Sequence, residues 1–137
     1  MRSTLWGLLA CLLGVAPAAA QTAERFDLQC DGTRSEELNG PEEPYSYGFR
    51  VDLASGKWCW DHCERIYDLK EVNPDRLVFD EVRSETRTER RSVWHEVSRT
   101  TGDHRLLSIT ISIVPRYYKV EGTCRPAPFS GFPSAMF

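Results

Sequence analysis

From Tyr45 to Leu53 the chain reads YSYGFRVDL, with Tyr45, Tyr47, Phe49, Val51 and Leu53 alternating with Ser46, Gly48, Arg50 and Asp52. A strand repeats every two residues and a helix every 3.6, so only an extended chain gathers these five side chains on one face. The same period recurs elsewhere. Phe26, Leu28 and Cys30 alternate with charged and polar neighbours. Val93, His95 and Val97 share one face of SVWHEVSR, and LLSITISIV sets Leu107, Ile109, Ile111 and Ile113 against Ser108, Thr110 and Ser112. WCW, ERIYDLKEV, LVFDEVR and YYKVEGTC read as further extended runs.

Turn chemistry separates these runs. ASGK, Asn73-Pro74-Asp75 and Thr100-Thr101-Gly102-Asp103 are short breaks. Proline presets φ, and Asn and Asp side chains bond the local backbone. The Asn73 turn predicts a hairpin between 66–72 and 77–83. Seven to eight short strands at nearly regular spacing point to an all-β fold, a single antiparallel up-and-down barrel or barrel-like sandwich. Short connections make consecutive strands antiparallel neighbours, and closure of the meander would hide its edges.

The first twenty residues set the compartment. Arg2 precedes an apolar run from Leu5 to Val15, and Ala18-Ala19-Ala20 ends it before Gln21. This is the layout of a secretory signal peptide, and it is short of the about 20 apolar residues of a membrane span. Leu8-Leu9-Ala10-Cys11 also has the form of a lipobox, but the apolar run continues past Cys11. The expected organisation is a signal peptide at 1–20, a β-barrel domain at 21–125 and a Pro/Phe-rich tail at 126–137, in a protein that is periplasmic or secreted. No transmembrane segment is expected after cleavage. The net charge is −3 with the leader, and its removal takes one arginine and no acid. An acidic balance argues against a nucleic-acid partner.

Loss of Cys11 leaves Cys30, Cys59, Cys63 and Cys124. An even count in an exported chain reads as two disulfides, and four cysteines allow three pairings. A closed meander brings the first and last strands together, which would join Cys30 to Cys124 and leave Cys59 with Cys63. The hexapeptide WCWDHC has a competing reading as a metal site, with Cys59, His62 and Cys63 as ligands and His95 or His104 as a fourth. Its C-x3-C spacing is unusual for zinc. No metal and no cofactor is expected.

No G-x-S-x-G, H-E-x-x-H or P-loop motif occurs, and the expectation is a protein that is not an enzyme. An enzyme would need a pocket where His95 or His62 meets an acid or a hydroxyl. The aromatic residues carry more of the functional reading. Most fill a core, but an open barrel mouth would use some of them for a small apolar or sugar ligand. Trp58, Trp60, His62, Tyr47 and Trp94 are the candidate contacts for a ligand or partner. A protein partner has two further candidate surfaces, the arginine-rich run 83–91 and the tail with Phe129, Phe132, Met136 and Phe137.

Several motifs carry a resemblance. The F-x-L-x-C start, W-C-x3-C, the Arg99–Gly102 turn and G-x-C followed by PFSGFP resemble a pattern in uncharacterised small exported bacterial β-proteins. The resemblance spans most of the mature chain and implies no activity or catalytic residue. Phe26 to Gly32, with LQCDG, is similar to the opening of C-type lysozyme-inhibitor barrels, at this first strand only. What it implies is the alternative function, a protein-facing inhibitor or envelope interaction factor.

Overall fold

The computed structural model describes residues 24–134. The expected leader with Cys11, and Met136 and Phe137 of the tail, lie outside them. Nine strands follow in order: β1 (Arg25–Ser35), β2 (Glu43–Asp52), β3 (Lys57–Trp60), β4 (Ile66–Asp68), β5 (Glu71–Val72), β6 (Arg76–Glu85), β7 (Arg90–Ser98), β8 (Asp103–Ile111) and β9 (Arg116–Ala127). No helix occurs among the described residues. All pairings are antiparallel within one sheet, in the order β4-β3-β2-β1-β9-β8-β7-β6-β5. The first and last long strands meet at β1–β9, and the sheet curls into a half-barrel.

The strand count is nine rather than seven or eight because 66–72 is not one strand. Leu69 and Lys70 separate β4 from β5. The break lets one segment serve two partners. Leu69 N–H donates to the Gly56 carbonyl at 2.8 Å, and Lys70 N–H to the Val78 carbonyl at 2.9 Å. The stretch therefore leaves the β3 edge and joins the β6 edge, tying the two ends of the sheet together at that level.

The concave face holds the core. Leu28, Cys30, Tyr47, Phe49, Val51, Trp58, Leu77, Phe79, Val97 and Val120 are buried there. Phe49 of β2 stacks on Phe79 of β6 at 4.8 Å between ring centroids, which measures how far the sheet has curled. A bulge between Val78 and Asp80 adds Phe79 to the inner face opposite His95. Bulged strands bend and twist more strongly, which suits a curling sheet.

Cys30 and Cys124 stand directly opposite each other on β1 and β9 and are bonded, as are Cys59 and Cys63. Two residue pairs further along, Gly32 faces Gly122. A Cβ on Gly122 would lie 2.7 Å from the Tyr47 hydroxyl. The missing side chain is what lets that phenol reach across the core.

WCWDHC is a cross-linked turn. Asp61 and Cys63 both have positive φ, 44° and 59°. Asp61 N–H donates to the Gly48 carbonyl at 2.8 Å, and its carboxylate accepts the Gly48 N–H at 2.9 Å. Aspartate tolerates the left-handed region better than alanine does. Asp61→Ala is expected to lose about 1–2 kcal/mol from the bond and the backbone together, whereas Asp61→Asn loses less. Urea unfolding midpoints of the two variants measure this.

The tail continues the structure. β9 runs on to Ala127, and Pro126 and Ala127 still pair with Leu28 and Asp27. Beyond it, Ser130 donates to the Asp27 carboxylate at 2.5 Å and the Gly131 carbonyl accepts from Arg50 at 2.5 Å. Phe129 and Phe132 pack edge to face at 5.4 Å. The tail up to Gly131 is thereby held against β1 and β2.

Candidate functional site

Curling brings β3 and β4 to face β6, β7 and β8 across an open side of the half-barrel. Between them lies a cleft of about 580 Å³. Trp58, Trp60 and Tyr67 form one wall, and Phe79, Val93, His95 and Leu106 form the floor and far wall. Arg65, Lys70, Arg91, Asp68 and Asp80 stand at its edge. Alternation explains the wall: Trp58 and Trp60 are two residues apart on β3, so both rings point inward. Trp58 stacks on Tyr67 at 5.0 Å, and its indole N–H donates to the Asp68 carbonyl at 3.3 Å. These contacts hold the ring upright at the cleft edge.

Charge at the cleft is unequal. Asp68 is taken up by Lys57, whose ammonium holds its carboxyl below the usual carboxylate range. Arg65, Lys70 and Arg91 make no ion pair among the described residues, leaving Asp80 as the one facing acid. The mouth is cationic around an aromatic interior.

Beneath the cleft runs a buried polar chain. The Tyr47 hydroxyl lies 2.7 Å from His104 Nδ1, and His104 Nε2 lies 2.9 Å from His95 Nε2. Both rings are almost fully buried. Phe49, Trp58, Trp60 and Phe79 surround His95 at 4.7–5.6 Å. Burial disfavours the imidazolium in both: it holds His104 down to about 3, and burial together with the neighbouring His104 holds His95 well below its ordinary value. Burial likewise pushes the Tyr47 phenol well above its ordinary value. All three groups are therefore neutral at pH 7.

Neutral rings constrain the hydrogens. If Tyr47 O–H donates to His104 Nδ1, then His104 Nε2–H donates to His95 Nε2. The His95 hydrogen must then sit on Nδ1. The opposite direction serves the same two contacts, with His95 Nε2–H donating to His104 Nε2 and His104 Nδ1–H to the Tyr47 oxygen.

The structure places the sequence-derived candidates in three locations. Trp58 and Trp60 line the cleft, and Tyr47 lies under it through His104. His62 borders an adjoining surface hollow with Asp61 and Glu64, which shares Trp60, Arg65 and Tyr67 with the cleft. Trp94 is on the convex face, under the Arg76 guanidinium at 5.8 Å. Tyr67, Phe79 and Arg65 are not among the sequence-derived contacts, and Arg91 is among them only as part of the arginine-rich run 83–91. They reach the cleft through the curl of the sheet, and the hairpin around TTGD brings His95 and His104 together. Cys59 and Cys63 are bonded to each other, and no metal-binding group of three or more His, Cys, Asp or Glu occurs among the described residues.

Comparison with protein-family models, curated proteins and solved structures finds no match.

Proposed function

We propose that this is an exported binding protein, without catalytic activity, whose aromatic cleft takes a small ligand combining an apolar ring with an anionic group. The carrying observation is the cleft itself: rings of Trp58, Trp60 and Tyr67 on one wall, the neutral His95 imidazole at the floor, and unpaired Arg65, Lys70 and Arg91 at the mouth. Rings offer stacking area, and unpaired cations offer a counter-charge to an acid group. Two disulfides fit an oxidising compartment, periplasmic or extracellular. Among the described residues no helix is long and apolar enough to cross a membrane. The tail's attachment to Asp27 and Arg50 supports a structural role for it over partner capture.

Anilinonaphthalene sulfonate joins fused rings to a sulfonate and serves as the probe. The oxidised protein at pH 7 is expected to bind it with one-to-one stoichiometry. Trp60→Ala should weaken binding about tenfold and Arg91→Gln about fivefold, from one lost ring contact and one lost charge. Near-UV circular dichroism checks that both variants keep native packing. Unchanged affinity in both variants would sink the reading.

A further inference from the structure

Three of the four most exposed large apolar side chains of the described residues cluster at one hairpin tip; the fourth, Leu38, lies between β1 and β2. Ile113 is 95% exposed, Val114 66% and Ile111 56%. Ile113 and Val114 belong to the β8–β9 connection, Ser112 to Pro115, and Ile111 is the last residue of β8. The tip is shaped, not loose: the Ser112 hydroxyl donates to the Val114 carbonyl at 2.9 Å and accepts the Val114 N–H at 3.3 Å. A soluble surface does not ordinarily present adjacent aliphatic side chains this way without a partner.

Register identifies what surrounds the tip. Ser84, Arg91, Thr110 and Arg116 form one row across β6 to β9, so the β6–β7 and β8–β9 tips stand at the same end. Residues 83–91 and 110–116 together carry five arginines against two glutamates, in a chain whose net charge is −3. One glutamate, Glu85, is paired with Arg90 at 2.7 Å. Arg83, Arg87, Arg91 and Arg116 have no ion pair among the described residues. The acidic β1–β2 loop is the counterweight nearby. Its Glu42 is engaged by Lys119, and Glu43 at the start of β2 by Arg34, while Glu36 and Glu37 make no ion pair among the described residues; β1 ends opposite Lys119, three residues short of Arg116. The β8–β9 tip thus projects roughly 10 Å beyond the end of β1.

We propose that this tip docks the protein on an anionic phospholipid bilayer. Ile113 and Val114 enter the interfacial region while Arg87 and Arg116, with Arg83 and Arg91 behind them, meet the headgroup phosphates. An aliphatic point inside a cationic collar matches the two attractions a bilayer offers, burial of apolar surface and a negative surface potential.

The test is co-sedimentation with sucrose-loaded vesicles, using a chain that starts at Gln21 and keeps all nine strands. Binding is expected to phosphatidylcholine vesicles containing roughly a quarter phosphatidylglycerol, to fall in high salt, and to be weak on pure phosphatidylcholine. Ile113→Asp should reduce partitioning more than about tenfold, by removing apolar insertion. The double variant Arg87→Gln with Arg116→Gln should reduce it about 25-fold, about fivefold for each charge. All these side chains are at the surface, so near-UV circular dichroism should be unchanged. No sedimentation with either vesicle, or equal sedimentation with both, overturns the proposal. So does an Ile113→Asp effect seen only as loss of self-association in sedimentation velocity, which would assign the tip to a second copy.

Discussion

Replacing Cys30 and Cys124 together with alanine is expected to lower stability by up to about 4.7 kcal/mol, the largest loss of any change considered. The bond joins residues 94 apart. Cross-linking so long a loop removes most of its closure entropy from the unfolded chain. The Cys59–Cys63 bond, across a separation of 4, gives only about 2 kcal/mol on the same chain-entropy estimate. Small domains are stable by about 5–15 kcal/mol, so the first loss takes a large part of the whole. All four sulfurs are buried, so the two alanine pairs leave cavities of similar kind and their difference reports loop length. Urea unfolding of C30A/C124A and C59A/C63A, fitted with a common slope, gives the comparison. Equal losses, or a larger loss from C59A/C63A, would contradict the seam at β1–β9.

Mild acid should have the second large effect. His104 and His95 are neutral and buried, with folded pKa values below the unfolded one. Below about pH 6.5 the unfolded chain takes up protons at these histidines and the folded chain does not. Stability is therefore retained above that pH and lost progressively as pH falls toward the folded values. For His104, held down to about 3, the loss at pH 4.5 is about 2.7 kcal/mol. His95 acts in the same direction. The corresponding fall in melting temperature between pH 7 and 4.5 is at least about 10 °C for a domain of this size. Glu42, Asp52 and Asp68, held below their ordinary range, add their losses mainly at the acid end of this window or below it. Thermal unfolding of wild type and His104→Gln separates the contributions, since the variant should show the shallower pH dependence. A wild-type melting temperature that stays flat from pH 7 to 4.5 would mean that the two rings are not buried and neutral.

Strand parity was readable from the residues, and the direction of curl was not. Alternation identified Tyr47, Phe49, Trp58, Trp60 and His95 as lying on strand faces, because a period of two leaves no other grouping. It did not say which face turns inward. In β8 the cleanest aliphatic row, Leu107, Ile109 and Ile111, lies on the convex side, while His104, Leu106, Ser108 and Thr110 lie on the concave side. The reason is the shape of the half-barrel. Where β8 passes the closed level, His104 and Leu106 are buried; farther along, the concave face opens to solvent and accepts serine and threonine. The disulfides were readable because a meander brings its first and last strands together. The break at Leu69-Lys70 was not, since an extended segment that changes partner keeps its period. Arg65, Tyr67 and Arg91 reach the cleft by the same long-range curl, which no local pattern encodes. His95 and His104 look unremarkable apart; only the TTGD register sets them in contact.

The proposed binding surface is the concave cleft and not the convex face. Without the leader the chain holds three tryptophans, Trp58, Trp60 and Trp94. Their indole N–H signals in a nitrogen-15 correlation spectrum, followed during titration with anilinonaphthalene sulfonate, report the two faces separately. The expected result is a saturable shift of the Trp58 and Trp60 signals with Trp94 unmoved. A shift of Trp94 alone, or no saturable shift of any of the three, would contradict it.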